Sequence, residues 1–240
     1  MKRVALEPAY VLHRRSYRET SFLVELFTQQ HGRLAVVARG VRKARSATQG
    51  LLQPFTPLLV SWSGKGELMT LTDVELGGEA IPLQGECLFA GFYLNELLIG
   101  LLQKWDAHPQ LYTFYQATLE ALQKTPTLEQ KSLRIFEKYL LDELGYALFP
   151  AVGSEDLFDL DKYYRFVPEH GFVISELGEE AKGGAYIFLG KSLIAIASND
   201  WQDEVCLQDA KRLMRLVLMP LLNGRPLHTR KLFMSLPVGG

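Results

Sequence analysis

The sequence predicts an α+β protein: a small five-stranded β-barrel in residues 1–80, then a mostly helical domain over 81–240 with a small β insertion near 150–200. Three observations carry this. Apolar residues alternate with a period of two through the first eighty positions. Short turn sequences separate the alternating runs. After Pro82 the apolar spacing becomes that of helices. At 240 residues and 48% hydrophobic, with 13 Phe, 10 Tyr and 3 Trp, the chain can build its core without disulfide or metal staples.

The first strand is read in the apolar run Tyr10 to Arg14. Phe22, Val24 and Leu26 then alternate with Leu23, Glu25 and Phe27. Gln29 to Gly32 supplies a turn, and Leu34, Val36 and Ala38 alternate with Arg33, Val37 and Arg39. A second pair, Leu58 to Trp62 and Leu68 to Val74, flanks Ser63-Gly64-Lys65-Gly66. Five such strands close into a small barrel; the pattern alone fits an OB-fold and an SH3-like barrel equally. Leu88 to Trp105 is apolar nearly all round, as a buried central helix should be. Pro109 opens a helix to about Leu122, with Leu111, Phe114, Tyr115, Thr118 and Leu122 inward. Thr127 caps a third, over Leu128 to Tyr146, with Leu133, Phe136, Leu140 and Leu144 on one face and Gly145 near its end. Tyr163 to Val167 and Gly171 to Ile174 form a hairpin. Asp203 to about Leu222 is a last helix, with Cys206, Ala210, Leu213, Val217 and Leu221 inward and Asn223-Gly224-Arg225-Pro226 as its stop.

The net charge of −1 hides a split: residues 1–50 carry ten Lys/Arg against three Asp/Glu, and residues 81–160 carry five against eleven. Such asymmetry points to an anionic partner at the N-terminal end. Cys87 and Cys206 stand alone, without metal or redox spacing, and no four-ligand set for zinc exists, so neither metal nor other cofactor is expected. The N-terminus has no signal-peptide run, and Leu88 to Leu102 is too short and polar to span a membrane. A soluble cytoplasmic protein is expected. There is no G-x-S-x-G, H-E-x-x-H or P-loop, and the five histidines are isolated, so no enzyme is expected.

The strongest local feature is Arg39-Gly40-Val41-Arg42-Lys43-Ala44-Arg45-Ser46, four cations in seven positions of a loop that ends near Gly50. Arginines take phosphate oxygens two at a time, and each neutralised phosphate releases counterions. Arg33 shares a strand face with Arg39, and Arg14, Arg15 and Arg18 lie on or after the first strand. The eight cations Arg14, Arg15, Arg18, Arg33, Arg39, Arg42, Lys43 and Arg45 are therefore the candidate DNA-binding set. Of the barrel aromatics, Tyr17, between Arg15 and Arg18, is the best candidate for stacking on a base. The bland alternative is a solvated basic loop.

These residues also fall into family order. Ala9 to His13 (A-Y-V-L-H), Glu19 to Thr28 (E-T-S-x-L-V-E-L-F-T), Gly32 to Arg42, Leu52 to Leu58 (L-Q-P-F-T-P-L) and Gly64 to Leu71 resemble the RecO family in order and spacing. So do Tyr93 to Leu98, Leu133-Arg134 with Leu144 to Tyr146, Gly224 to Leu227 and Arg230 to Phe233. The resemblance spans nearly the whole chain. It implies an OB-fold followed by a helical domain, and binding of single- and double-stranded DNA. It further implies annealing of complementary strands and, with RecR, loading of RecA. Docking on the acidic C-terminal tail of the single-stranded-DNA-binding protein, RecF as a further partner, and a nucleoid-associated place in the cytoplasm complete the expectation. Many members of the family carry a four-cysteine zinc module after the third helix. Phe149 to Ser175 has no cysteine, so that segment is expected to fold on its apolar residues alone.

Lys131, Arg134 and Lys138 fall at i, i+3 and i+7, a basic stripe flanked by Ile135 and Tyr139. The stripe is the expected seat of the partner peptide, with Arg134 forking the terminal carboxylate; the alternative is a solvated face. Two other readings of the whole chain remain: a protein-interaction scaffold touching DNA weakly, and an RNA-binding OB module. Strand annealing separates the first from the leading reading, and preference for DNA over RNA the second.

Overall fold

The computed structural model describes residues 2–42, 47–125, 129–150, 157–176, 186–200 and 203–229. They group into two compact units, one of Met1–Glu129 with the chain end from Leu227, the other of Gln130–Pro226. The sequence put the divide near residue 80. By contact the first two long helices group with the barrel, where aromatic rings of both pack against it.

Five strands, β1 (Lys2–Tyr17), β2 (Ser21–Thr28), β3 (Gly32–Ala38), β4 (Leu58–Gly64) and β5 (Leu68–Leu76), close a barrel in the order β1-β2-β3-β5-β4. This is the five-stranded Greek-key arrangement of the OB-fold, which decides between the two barrels left open by the pattern. β1 is far longer than its apolar run, at 16 residues. Its second half pairs with β2 and its first half with β4. One strand can serve two neighbours because bulges bend it, between Val4 and Glu7, where Leu6 takes φ 51°, and between Val11 and His13. Closure is a parallel pairing of Ala35–Val37 with Leu68–Thr70. The core holds the inward alternates Ala9, Val11, Val24, Leu26, Leu34, Val36, Val60 and Trp62. A short helix, α1 (Ala47–Leu51), stands where the sequence suggested only loop.

Helices α2 (Gly85–Leu101) and α3 (Pro109–Lys124) cover the barrel. Tyr10 and Phe27 meet Tyr112 and Tyr115 at ring separations of 5.2 to 6.0 Å. Asn95, a polar interruption in an apolar helix, has a partner on each side. It accepts from the Tyr115 hydroxyl at 2.5 Å and donates to the Leu12 carbonyl at 3.0 Å. Burial pushes the Tyr115 hydroxyl well above its ordinary pKa, so it stays a donor. The Glu96 carboxylate on α2 accepts from the main-chain N–H groups of His228 and Thr229 and from the Thr229 hydroxyl, which ties the returning chain to this unit.

The second unit holds α4 (Glu129–Glu143), a sheet in the order β7-β6-β8 built of β6 (Tyr163–Val167), β7 (Gly171–Ile174) and β8 (Ile187–Leu189), then α5 (Gly190–Ser198) and α6 (Glu204–Leu221). The expected hairpin is there, in register from Tyr164↔Ile174 to Val167↔Gly171. Its core is aromatic: Phe172 lies within 5.4 to 6.5 Å of Phe149, Phe158, Phe166 and Phe188. Four of these rings, Phe149, Phe158, Phe166 and Phe172, belong to the segment without cysteines. Just past α4, Gly145 takes a φ of +81° that suits a left-handed cap, and Tyr146 N–H reaches back to the Leu141 carbonyl. Thr127, its expected cap, lies outside the described residues. Among the described residues, no helix is long and apolar enough to cross a membrane.

Candidate nucleic-acid interface

Strand register builds one open cleft on the barrel. Its walls are the β1–β2 turn (Tyr17 to Ser21), the end of β3 with Arg39 and Gly40, and the start of β5 (Leu68 to Thr70), around about 690 Å³. Arg18 and Arg39 stand on different walls, both exposed, and Glu19 adds one carboxylate. Arg18 takes φ 52°, unusual for a non-glycine residue, and its guanidinium lies 5.3 Å from the centre of the Tyr17 ring. Tyr17, half-buried, is therefore already covered on one face by an arginine. Arg15 is exposed on β1 opposite Leu23, which itself faces Val37 on β3, a lining residue of the cleft. What the arrangement offers is two or three cations around a concave, partly apolar floor, suited to an extended polyanion.

The other members of the basic set fall elsewhere. Arg33 is no rim cation. Its guanidinium donates to the Leu102 carbonyl at 3.1 Å and to Glu25 at 3.2 Å, and its side chain is 15% exposed. It shares the strand face of Arg39 as expected, but the chain after α2 covers that end of the face: Trp105 N–H bonds to the Arg33 carbonyl at 2.9 Å. Arg14 donates to the Gln49 carbonyl and the Gln53 side chain, at 3.0 and 3.1 Å, and lies over the Phe22 ring, so it anchors α1. Arg42 donates to the Arg18 carbonyl at 3.1 Å. Lys43 and Arg45 lie outside the described residues. The β5 wall, with Leu68 and Thr70, escaped the sequence reading, since a parallel β3–β5 pairing across thirty residues leaves no local signal.

The stripe on α4 is corrected in the same way. Arg134 is buried with Glu137, at 2.8 Å, the two side chains 6% and 1% exposed. Lys138 donates to the Ile196 and Ala197 carbonyls and to Asn199 Oδ1, so its ammonium caps the C-terminal end of α5. Burial lowers the Lys138 pKa from its ordinary value while Asp142 opposes the shift. Lys131, Ile135 and Tyr139 are half-buried, and of the α4 side chains Asp142 alone is exposed. The basic spacing was real, but two of its three cations serve the interior.

Sequence comparison places the chain among known proteins. The family model for the recombination protein O N-terminal domain matches residues 1–78, and that for its C-terminal domain matches residues 83–187. The DNA repair protein RecO of Coxiella burnetii (strain RSA 331 / Henzerling II) is 47% identical over 233 residues, covering 96% of this chain and 98% of that one. That of Pasteurella multocida (strain Pm70) is 44% identical, covering 93% and 92%, and that of Dechloromonas aromatica (strain RCB) is 43% identical, covering 98% and 97%. With two family models matched in order and its sequence aligned over nearly its full length, the chain belongs to the RecO family of DNA repair and recombination proteins.

Proposed function

We propose that this protein binds single- and double-stranded DNA through the barrel cleft and performs no chemistry on it. In this reading it anneals complementary strands and, together with RecR, helps to load RecA onto DNA coated by the single-stranded-DNA-binding protein, with RecF as a further partner. The observation that carries the reading is the pair of exposed arginines, Arg18 and Arg39, on different walls of one open cleft. Cations set around a groove lower the repulsion between two phosphate backbones, so complementary strands can approach and pair. Binding depends steeply on salt and little on base sequence, because phosphates are the contacts. For the acidic tail of the single-stranded-DNA-binding protein, the half-buried Lys131, Ile135 and Tyr139 are the residues of the α4 stripe that retain some exposure. A nucleoid-associated place in the cytoplasm follows from the same reading.

The test is fluorescence anisotropy of a labelled single-stranded oligonucleotide over a salt series, with Arg18→Ala, Arg39→Ala and the double variant, followed by strand annealing. Each contact removed should flatten the salt slope by about 0.7 for a single strand and slow annealing. Parent-like affinity of the double variant at low salt would move DNA off this cleft. Binding without annealing would favour the scaffold reading.

A further inference from the structure

We propose that Arg42 is a positioning residue for the cleft and not a phosphate ligand: it clamps the β1–β2 turn and so sets where Arg18 stands. The inference rests on the DNA reading of the cleft. Two bonds carry it. The main-chain N–H of Arg42 donates to the Thr20 carbonyl at 3.0 Å. Its guanidinium Nη1 donates to the Arg18 carbonyl at 3.1 Å. The loop between Tyr17 and Ser21, which pair with each other, consists of Arg18, Glu19 and Thr20. One residue therefore brackets that loop at both ends.

The loop needs such a bracket. Arg18 sits at φ 52°, a left-handed conformation that costs a residue with a Cβ and that neighbouring contacts must offset. Arg42 is itself fixed from the other side, since the preceding Val41 is buried at the barrel core and Gly40, at φ +70°, lets the chain turn there after β3. The strain at Arg18 and the anchoring of Val41 meet in the Arg42 bonds. The consequence is a fixed spacing between Arg18 on the turn and Arg39 at the end of β3, both lining the cleft. By charge and exposure Arg42 looks like Arg39, but one of its guanidinium donors is bonded to a main-chain carbonyl of the turn.

A double-variant cycle decides between positioning and direct contact. Binding of a labelled single-stranded oligonucleotide is measured for the full chain with Arg18→Ala, Arg42→Ala, both, and Arg39→Ala, and hydrogen exchange is followed in the free protein. Arg18→Ala and Arg42→Ala should each weaken binding by about fivefold. The double variant should fall within about twofold of Arg18→Ala, because Arg42 acts through Arg18. Arg42→Ala should also speed exchange in residues 18–21 while the rest of the barrel keeps its protection. Losses that multiply to about 25-fold, with the salt slope falling once more on the second substitution, make Arg42 an independent phosphate contact and overturn the proposal. Parent-like binding of Arg42→Ala, with Arg18→Ala and Arg39→Ala impaired, also overturns it but leaves the cleft reading standing. If Arg18→Ala and Arg39→Ala bind like the parent too, the cleft reading falls with it.

Discussion

Asp203 illustrates how much a single carboxylate does here. It caps α6 by accepting from the Val205 N–H at 2.8 Å, and it pairs with Lys191 at 3.2 Å. The main-chain bond first, and the bond to the Lys191 ammonium second, hold its pKa below the ordinary carboxylate value. A folded-state pKa below the unfolded one means that the stabilisation is full above the unfolded value and fades as pH falls through the folded one. Thermal melts should therefore lose stability below about pH 4, partly through this cap. Asp203→Asn keeps a capping oxygen but gains no proton, so its melting should depend less steeply on pH in that range. An identical acid dependence in both proteins would assign the loss to other carboxylates. Asp203 was legible as a helix start. Arg33 and Arg134 were misread, because charge and spacing in a sequence do not say whether a guanidinium meets water or a buried partner.

Among the elements, the small sheet of the second unit depends on its rings. Phe172 stacks on Phe149, 16° from parallel, and meets Phe158 and Phe188 edge-on at 88° and 89°. Edge-on and offset pairs add to the burial of the rings. Phe172→Ala should cost about 3 kcal/mol, the lower end for a phenylalanine because this ring is only half-buried. Chemical denaturation followed by near-ultraviolet circular dichroism measures it; a change under about 1 kcal/mol would mean that the cluster repacks around the gap. The hairpin that presents Phe172 was readable from alternation around Glu169-His170-Gly171. β8 and α5 were not, since a three-residue strand and a nine-residue helix carry too few periods to stand out.

For the molecule as a whole, the core of each unit is made by side chains. The barrel closes on its inward alternates, and the second unit packs on aromatic rings where many relatives in the family are expected to hold zinc. Chelator treatment of the purified protein should therefore leave the melting temperature unchanged, with no stoichiometric zinc released. A lowered melting temperature that zinc restores would reveal a ligand set outside the described residues.

By itself the sequence determined the class of fold, the five strands of the barrel, the long helices, the split of charge and the family. Each of these is written in local periodicity, in turn chemistry or in motifs carried along the chain. Only the tertiary structure decided that β1 runs for 16 residues and serves two neighbours, that α2 and α3 belong with the barrel, and that β5 supplies one wall of the cleft. It also told apart the six of the eight cations that lie among the described residues. Arg15, Arg18 and Arg39 face solvent, Arg14 and Arg33 are half-buried and bonded to main-chain carbonyls, and Arg42 is exposed but bonded to the Arg18 carbonyl. The physical reason for that division is that burial and nearby acceptors decide how much of a cation is left to meet a phosphate. Which acceptors are near is set by segments up to about seventy positions apart, where Arg33 meets Leu102.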